Sequence, residues 1–161
     1  MLIPKILIHP DIRLRIKASK INNFNNKIKN IIKNMLKVMY INKGIGLAAT
    51  QINIHKKIIV IDISKDQTKP IILINPKIIK KYGTISIKEG CLSIPNIKIS
   101  INRYKYIKIN TMNCNGKTYK INAHDLLSIC IQHEIDHLNG KLILDYKKKI
   151  KDINYYIKYQ Q

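Results

Sequence analysis

Between Phe24 and Met39 the apolar residues Ile28, Ile31, Ile32, Met35, Leu36 and Met39 recur with a 3.6-residue period while Lys and Asn fill the opposite side, which predicts an amphipathic helix. Asn22 or Asn23 can cap it, because a short amide side chain satisfies the free N–H groups of a first helical turn. One face of this helix must be buried, and a sheet is the expected partner. The patterns that follow have a different period. Ile58 to Ile63, Ile71 to Ile74 and Thr84 to Ile87 are short β-branched runs between turn residues, and Ile97 to Ile101 and Tyr104 to Ile109 alternate as strands do. Asn115-Gly116, set between Tyr104 to Thr111 and Lys117 to Ile121, predicts a hairpin. Residues 1 to 20 carry Pro4, Pro10 and mixed charge without a long period, and read as an irregular arm.

A second helical stretch is apolar on nearly every face, through Leu126, Leu127, Ile129, Cys130, Ile131 and Leu138, so it belongs inside the protein. Asn139-Gly140 gives it a left-handed stop. Asp145 to Tyr159 can form a last helix with Tyr146, Ile150, Ile153 and Ile157 on one side, while Lys147, Lys151 and Lys158 line up on another with Lys148 beside them. Mostly antiparallel strands between helices make the fold class α+β, with the strands packed around a buried central helix and further helices towards the N- and C-termini. A chain of 161 residues suits one domain over 1–161.

The formal net charge of +21 would point to a polyanionic partner, but Lys, Ile and Asn are all in excess, Trp is absent and arginine stands out only as the pair Arg13 and Arg15. Drift of the coding sequence toward A and T is the alternative source of that bias, and it stands beside the polyanionic partner. What escaped the drift is informative: the glutamates are Glu89 and Glu134, and Gly44, Gly46, Gly90 and Gly140 lie in or beside the motifs described next. Neither an export signal nor a stretch of about 18 apolar residues is present, so a cytoplasmic protein without a membrane partner is expected. Cys91, Cys114 and Cys130, an odd number in no disulfide-like spacing, fit a reducing compartment.

The buried helix contains His133, Glu134 and His137 as HExxH. Histidines four residues apart share a helix face and can bind one divalent ion, with the glutamate beside its open position as a base. The central helix is therefore expected to be metal-binding. Burial strengthens the reading, because ionisable groups inside an apolar helix need a metal or hydrogen bonds to offset their lost hydration. A catalytic ion of this kind takes three protein ligands, yet downstream of His137 there is neither His nor Glu. Upstream, Cys91 in Glu89-Gly90-Cys91-Leu92-Ser93 is the plausible third donor, since a cation stabilises a thiolate. Gly44-Ile45-Gly46-Leu47-Ala48-Ala49-Thr50-Gln51 permits close backbone approach to a ligand and lacks the spacing of a phosphate loop.

GIGLAATQ (44–51), EGCLS (89–93) and QHEIDH (132–137), in this order, resemble the three signature motifs of the bacterial peptide deformylases, and the likeness extends over essentially the whole chain. The resemblance implies hydrolysis of the formyl group from the N-terminal formyl-methionine of nascent polypeptides, with release of formate. It implies Cys91, His133 and His137 as metal ligands, Glu134 as general acid and base, and the Gln51 side chain and Leu92 backbone N–H as oxyanion donors. Ile45 and Gly46 resemble the family's substrate-backbone contacts, and Ile45, Ile87, Glu89, Leu126, Ile129 and Cys130 its methionine pocket. Lys98 stands where many bacterial members carry a loop arginine, and Lys43 where an acidic residue is frequent. Affinity order and ligand type favour zinc at a Cys-His-His site, whereas the resemblance implies Fe²⁺, one per chain, with nickel or cobalt as working substitutes. It also implies ribosome contact through the basic C-terminal helix, and a monomer is expected. The rival readings are a metal-dependent endopeptidase and a basic binding protein without turnover.

Overall fold

In the computed structural model, which describes residues 3–147, the run Ile58–Ile61 is a strand buried at all four positions. Such a strand needs both faces of its sheet covered. Ile58 and Val60 pack with Ile28, Ile32, Met35 and Met39 of helix α1 (Asn26–Ile41), whereas Ile59 and Ile61 pack with Cys130, Ile131 and Leu138 of helix α2 (Asp125–Leu138). The two helices thus cover opposite faces, and the neighbouring strands alternate likewise, with Leu47 and Ile74 facing α1 and Ala48 and Leu73 facing α2.

Five strands form one antiparallel sheet in chain order among the described residues: β1 (Gly46–Ala48), β2 (Ile58–Ile61), β3 (Ile71–Cys91), β4 (Ile94–Met112) and β5 (Thr118–His124). The sequence predicts separate short strands within 71–87 and 97–109, but the structure has two long ones paired along most of their length. Lysines and Gly83 weaken the local strand signal, while the backbone ladder runs on through Lys80↔Lys108 and Tyr82↔Tyr106. Register shifts near Asn75, Ile79 and Gly90 absorb the irregularities, among them Pro76.

Helix α1 begins two residues later than its apolar pattern suggests, at Asn26 where the pattern starts at Phe24. Its cap is Asn25, not Asn22 or Asn23, and the Asn25 Oδ1 accepts from the Ile28 N–H at 3.2 Å. The Tyr40 hydroxyl, near its end, donates to Asp62 Oδ2 at 2.8 Å and ties the helix to the chain leaving β2. The hairpin forms as expected, with Gly116 at φ 80° between β4 and β5.

Just past the end of helix α2 comes Gly140, whose φ is 72° and where a Cβ would lie 2.3 Å from the Arg15 carbonyl oxygen. Glycine is required there on both counts. The N-terminal arm is more ordered than its sequence suggests. It carries a short 3-10 helix (Ile12–Arg15), and Arg15 makes a forked pair with Asp145, Nη1 to Oδ2 at 2.6 Å and Nη2 to Oδ1 at 2.9 Å. Of the last helix expected over Asp145 to Tyr159, Asp145 and Tyr146 belong to another short 3-10 helix (Ile143–Tyr146), and residues 148–161 lie outside the described residues. Among the described residues no helix is long and apolar enough to cross a membrane.

Candidate active site

Three elements converge on one cavity of about 350 Å³: the 44–51 segment with β1, the end of β3, and helix α2. The Gln51 side chain is buried and held, its Oε1 accepting from the Ala48 N–H at 2.9 Å and its Nε2 donating to Ser93 Oγ at 3.1 Å. Cys91 sits where β3 gives way to β4, just past a register shift, with its Sγ 3.2 Å from His137 Nε2 and 3.8 Å from Gln51 Nε2. His133 comes from the same helix face as His137, their ring centroids 5.0 Å apart.

Ligand atoms of Cys91, His133 and His137 all lie within 4.8 Å of one another. One ion with ligand bonds of about 2.0–2.3 Å can gather them with small side-chain rotations, and one thiolate with two imidazoles is a donor set suited to a divalent transition metal. The residues present therefore fit a catalytic ion. Burial pushes His137 well below the ordinary imidazole range, which favours its neutral, ligating form. Burial alone would lower His133 too, but hydrogen bonds to Cys91 and Glu89 outweigh it and carry the ring up to about 10.

Glu134 is 4% exposed, and its Oε2 has no hydrogen-bond partner among the described residues. Burial raises its carboxyl to about 7, against the nearby His133 charge, so the group stands close to the point at which it can both take and return a proton. Its other oxygen, Oε1, would be 2.6 Å from a Cβ on Gly46. The second glycine of the 44–51 segment is thus the surface on which this carboxylate rests.

Ile45, Gly46, Ile87, Glu89, Leu92, Leu126, Ile129 and Cys130 all line the same cavity. Ile45 and Leu126 are exposed at its rim, whereas Ile129 and Cys130 are buried in its wall. Burial pushes the Cys130 thiol up to about 12, leaving it a neutral apolar lining group. Cys114 lies apart in the hairpin turn, 3.9 Å from Asn115 Oδ1.

Glu89 does more than line the wall. Its Oε2 is 2.9 Å from His133 Nδ1, and the carboxylate also receives Arg103 Nε at 2.7 Å and Nη2 at 2.9 Å. Burial by itself would raise Glu89, but these hydrogen bonds and charges outweigh it and hold the group ionised. Reading the sequence missed Arg103. It is a lone arginine in a lysine-rich strand, and the signal that could have found it is the strand period, which puts it on the inward face with Ile101 and Ile107. Ser93 was likewise legible only as part of a motif.

The family model described as polypeptide deformylase matches residues 3–152. The chain belongs to the polypeptide deformylase family. A peptide deformylase of Wigglesworthia glossinidia brevipalpis is 52% identical over 152 residues, 94% of this chain and 100% of that protein. A crystal structure of a peptide deformylase from Legionella pneumophila superposes with a TM-score of 0.89 at 38% identity, covering 93% of this chain and 89% of that one. A Synechococcus elongatus deformylase solved in complex with actinonin gives 0.88 at 35% identity, over 96% of this chain and 84% of its own. As a deformylase, the protein is a hydrolase that removes the formyl group from the N-terminal formyl-methionine of newly made polypeptides and releases formate.

For a deformylase built this way, Gly46→Ala should keep its fold, because Gly46 does not need a left-handed φ, yet displace the Glu134 carboxylate. The expected result is a fall of about 10²-fold in kcat/KM on a formyl-methionyl peptide with metal content unchanged. Steady-state kinetics beside elemental analysis check it, and full activity would show that the carboxylate does not need that surface.

Proposed function

We propose that deformylation takes place in this cavity, with Cys91, His133 and His137 holding one divalent ion and Glu134 carrying the proton. The observation that supports the reading is the meeting of three ligand-type atoms within 4.8 Å with a buried carboxylate oxygen that lacks a partner among the described residues. When bound, the ion supplies Lewis acidity, polarising the formyl carbonyl and making water acidic enough to deprotonate near neutral pH. Glu134 accepts the proton of the attacking water and then delivers it to the leaving amine, so the amide C–N bond breaks with a neutral amine departing. The Gln51 Nε2–H and the Leu92 backbone N–H donate to the oxygen that gains charge as the formyl carbon becomes tetrahedral. Fixing Gln51 through Ala48 and Ser93 beforehand means little reorganisation is needed at that moment. The methionine side chain lies against Ile45, Ile87, Leu126, Ile129 and Cys130, with Glu89 in the wall, and Ile45 and Gly46 run beside the substrate backbone.

The ion in this proposal is Fe²⁺, which nickel, cobalt or zinc can replace, and helix α2 is the metal-binding helix at the centre of a single catalytic domain over 1–161. The enzyme acts as a cytoplasmic monomer. Anaerobically purified protein should release formate from a formylated methionyl peptide and leave a blocked, unformylated peptide intact. Cleavage of the latter would favour an endopeptidase, and activity that rose on zinc loading and ignored oxygen would overturn the choice of iron.

Ribosome contact through the basic C-terminal segment completes the proposal, and its support is the lysine stripe of the sequence. With about three or four lysines meeting phosphates, ribosome affinity should fall with salt at a log–log slope of roughly −2 to −4. Exchanging Lys147, Lys151 and Lys158 for Gln should flatten that slope, and an unchanged affinity would remove this part of the reading.

A further inference from the structure

The hydrogen bonds at His133 do not stop at Glu89. Arg103, which forks onto the Glu89 carboxylate, uses its remaining nitrogen, Nη1, to donate to Asp136 Oδ2 at 2.6 Å and to the Tyr146 hydroxyl oxygen at 3.0 Å. The Tyr146 O–H donates in turn to Asp136 Oδ2 at 2.7 Å, and the Arg103 Cζ lies 4.7 Å from the centre of the Tyr146 ring. His133, Glu89, Arg103, Asp136 and Tyr146 therefore form one continuous chain of contacts. Its inner members are buried, Arg103 at 5% exposure and Glu89 at 6%, while Tyr146 at 38% is its open end.

A guanidinium held at a single edge can still pivot about that edge. With Nη1 closed by a carboxylate and a hydroxyl, and the ring of Tyr146 against its face, the plane of Arg103 is set from outside. That plane sets the Glu89 carboxylate, whose Oε2 fixes a proton on His133 Nδ1 and leaves Nε2 as the ligating nitrogen. Anchoring the segment that carries Tyr146 does not by itself call for this arrangement, because Arg15 and Asp145 already tie it to the N-terminal arm and Leu142 and Ile143 are buried in the core.

We infer that Tyr146, together with Asp136, is a positioning residue of the metal centre, acting through Arg103 and Glu89 on the ring of His133. The inference rests on His133 being a ligand, as proposed above. Removing the Tyr146 hydroxyl should loosen the metal even though this hydroxyl never approaches the ion.

The test uses the full-length protein loaded with cobalt(II), whose d–d bands absorb in the visible and whose bond to a cysteine thiolate adds charge-transfer absorption in the near ultraviolet, and follows loss of that absorption to an excess of chelator. Tyr146→Phe keeps the ring and loses the hydroxyl. Its cobalt should leave about 3–10-fold faster, less than the roughly 10–100-fold expected for Glu89→Gln, the direct outer partner. In Tyr146→Phe/Glu89→Gln the release rate should match that of Glu89→Gln alone, because the hydroxyl has then lost its route to His133. If Glu89→Gln does not fold, Glu89→Asp takes its place, keeping a charge for Arg103 while drawing the carboxylate away from the ring. Tyr40→Phe, which also removes a tyrosine donor from a carboxylate, is the control and should leave release unchanged. A purely structural role would lower thermal stability in both tyrosine variants without a difference in metal release.

Release from Tyr146→Phe within about twofold of the parent, or effects that multiply in the double variant, would overturn the inference. A parent protein that gave no thiolate–cobalt absorption would instead overturn the ligand assignment on which it rests.

Discussion

Glu134→Gln is expected to lower kcat for a formyl-methionyl peptide by at least about 10³-fold while the bound metal stays in place. The amide is nearly isosteric with the carboxylate, so the cavity and the contact with Gly46 are kept. What disappears is the capacity to accept a proton from water and return it to the amine. The carboxyl stands at about 7 because it is buried, and Gln cannot reproduce that behaviour at any pH. Rate and metal content must be read on the same preparation. Loss of metal along with activity would mean that Glu134 helps to hold the ion and that its assignment as the proton carrier is wrong.

The second large effect is expected at Cys91. Cys91→Ser replaces a thiolate donor by a hydroxyl, which binds weakly unless deprotonated, so metal affinity should fall by more than the roughly 10–100-fold typical of losing an outer partner. Activity should follow the metal content. Cys114→Ser is the matching control, because its sulfur sits in the β4–β5 turn away from the other ligand atoms. Dialysis against a graded series of chelator concentrations, with metal measured at each step, separates the two variants. If both lost metal equally, or neither did, Cys91 would not be a ligand.

Helix α1, the β4–β5 hairpin and the stop at Gly140 could be read from local sequence because their signals are local: a 3.6-residue period, an Asn-Gly pair, and a glycine just past an apolar run. The interruptions expected within β3 and β4 show where such reading fails. Strand pairing is a contract between two backbones, and Lys80 has a poor strand signal of its own yet pairs with Lys108, while the ladder keeps its register on either side of Gly83. The same holds for the cap of α1, where three asparagines within four residues offer equivalent side chains and only the path of the chain selects Asn25.

At the site, the chemical inventory is legible along the chain: two histidines on one helix face, a glutamate between them, a cysteine after a glycine, and an amide at the end of the 44–51 segment. Those choices are legible because ligating and proton-moving groups are few and residue-specific. How the inventory is held depends on the folded chain. Gln51 is braced by Ser93, Gly46 offers a surface with no Cβ to the Glu134 carboxylate, and Glu89 faces His133 because Arg103 arrives from β4 and Tyr146 closes the arginine from beyond α2. These partners come from elements distant in the chain, so their relation depends on strand register and helix placement, which no local spacing encodes.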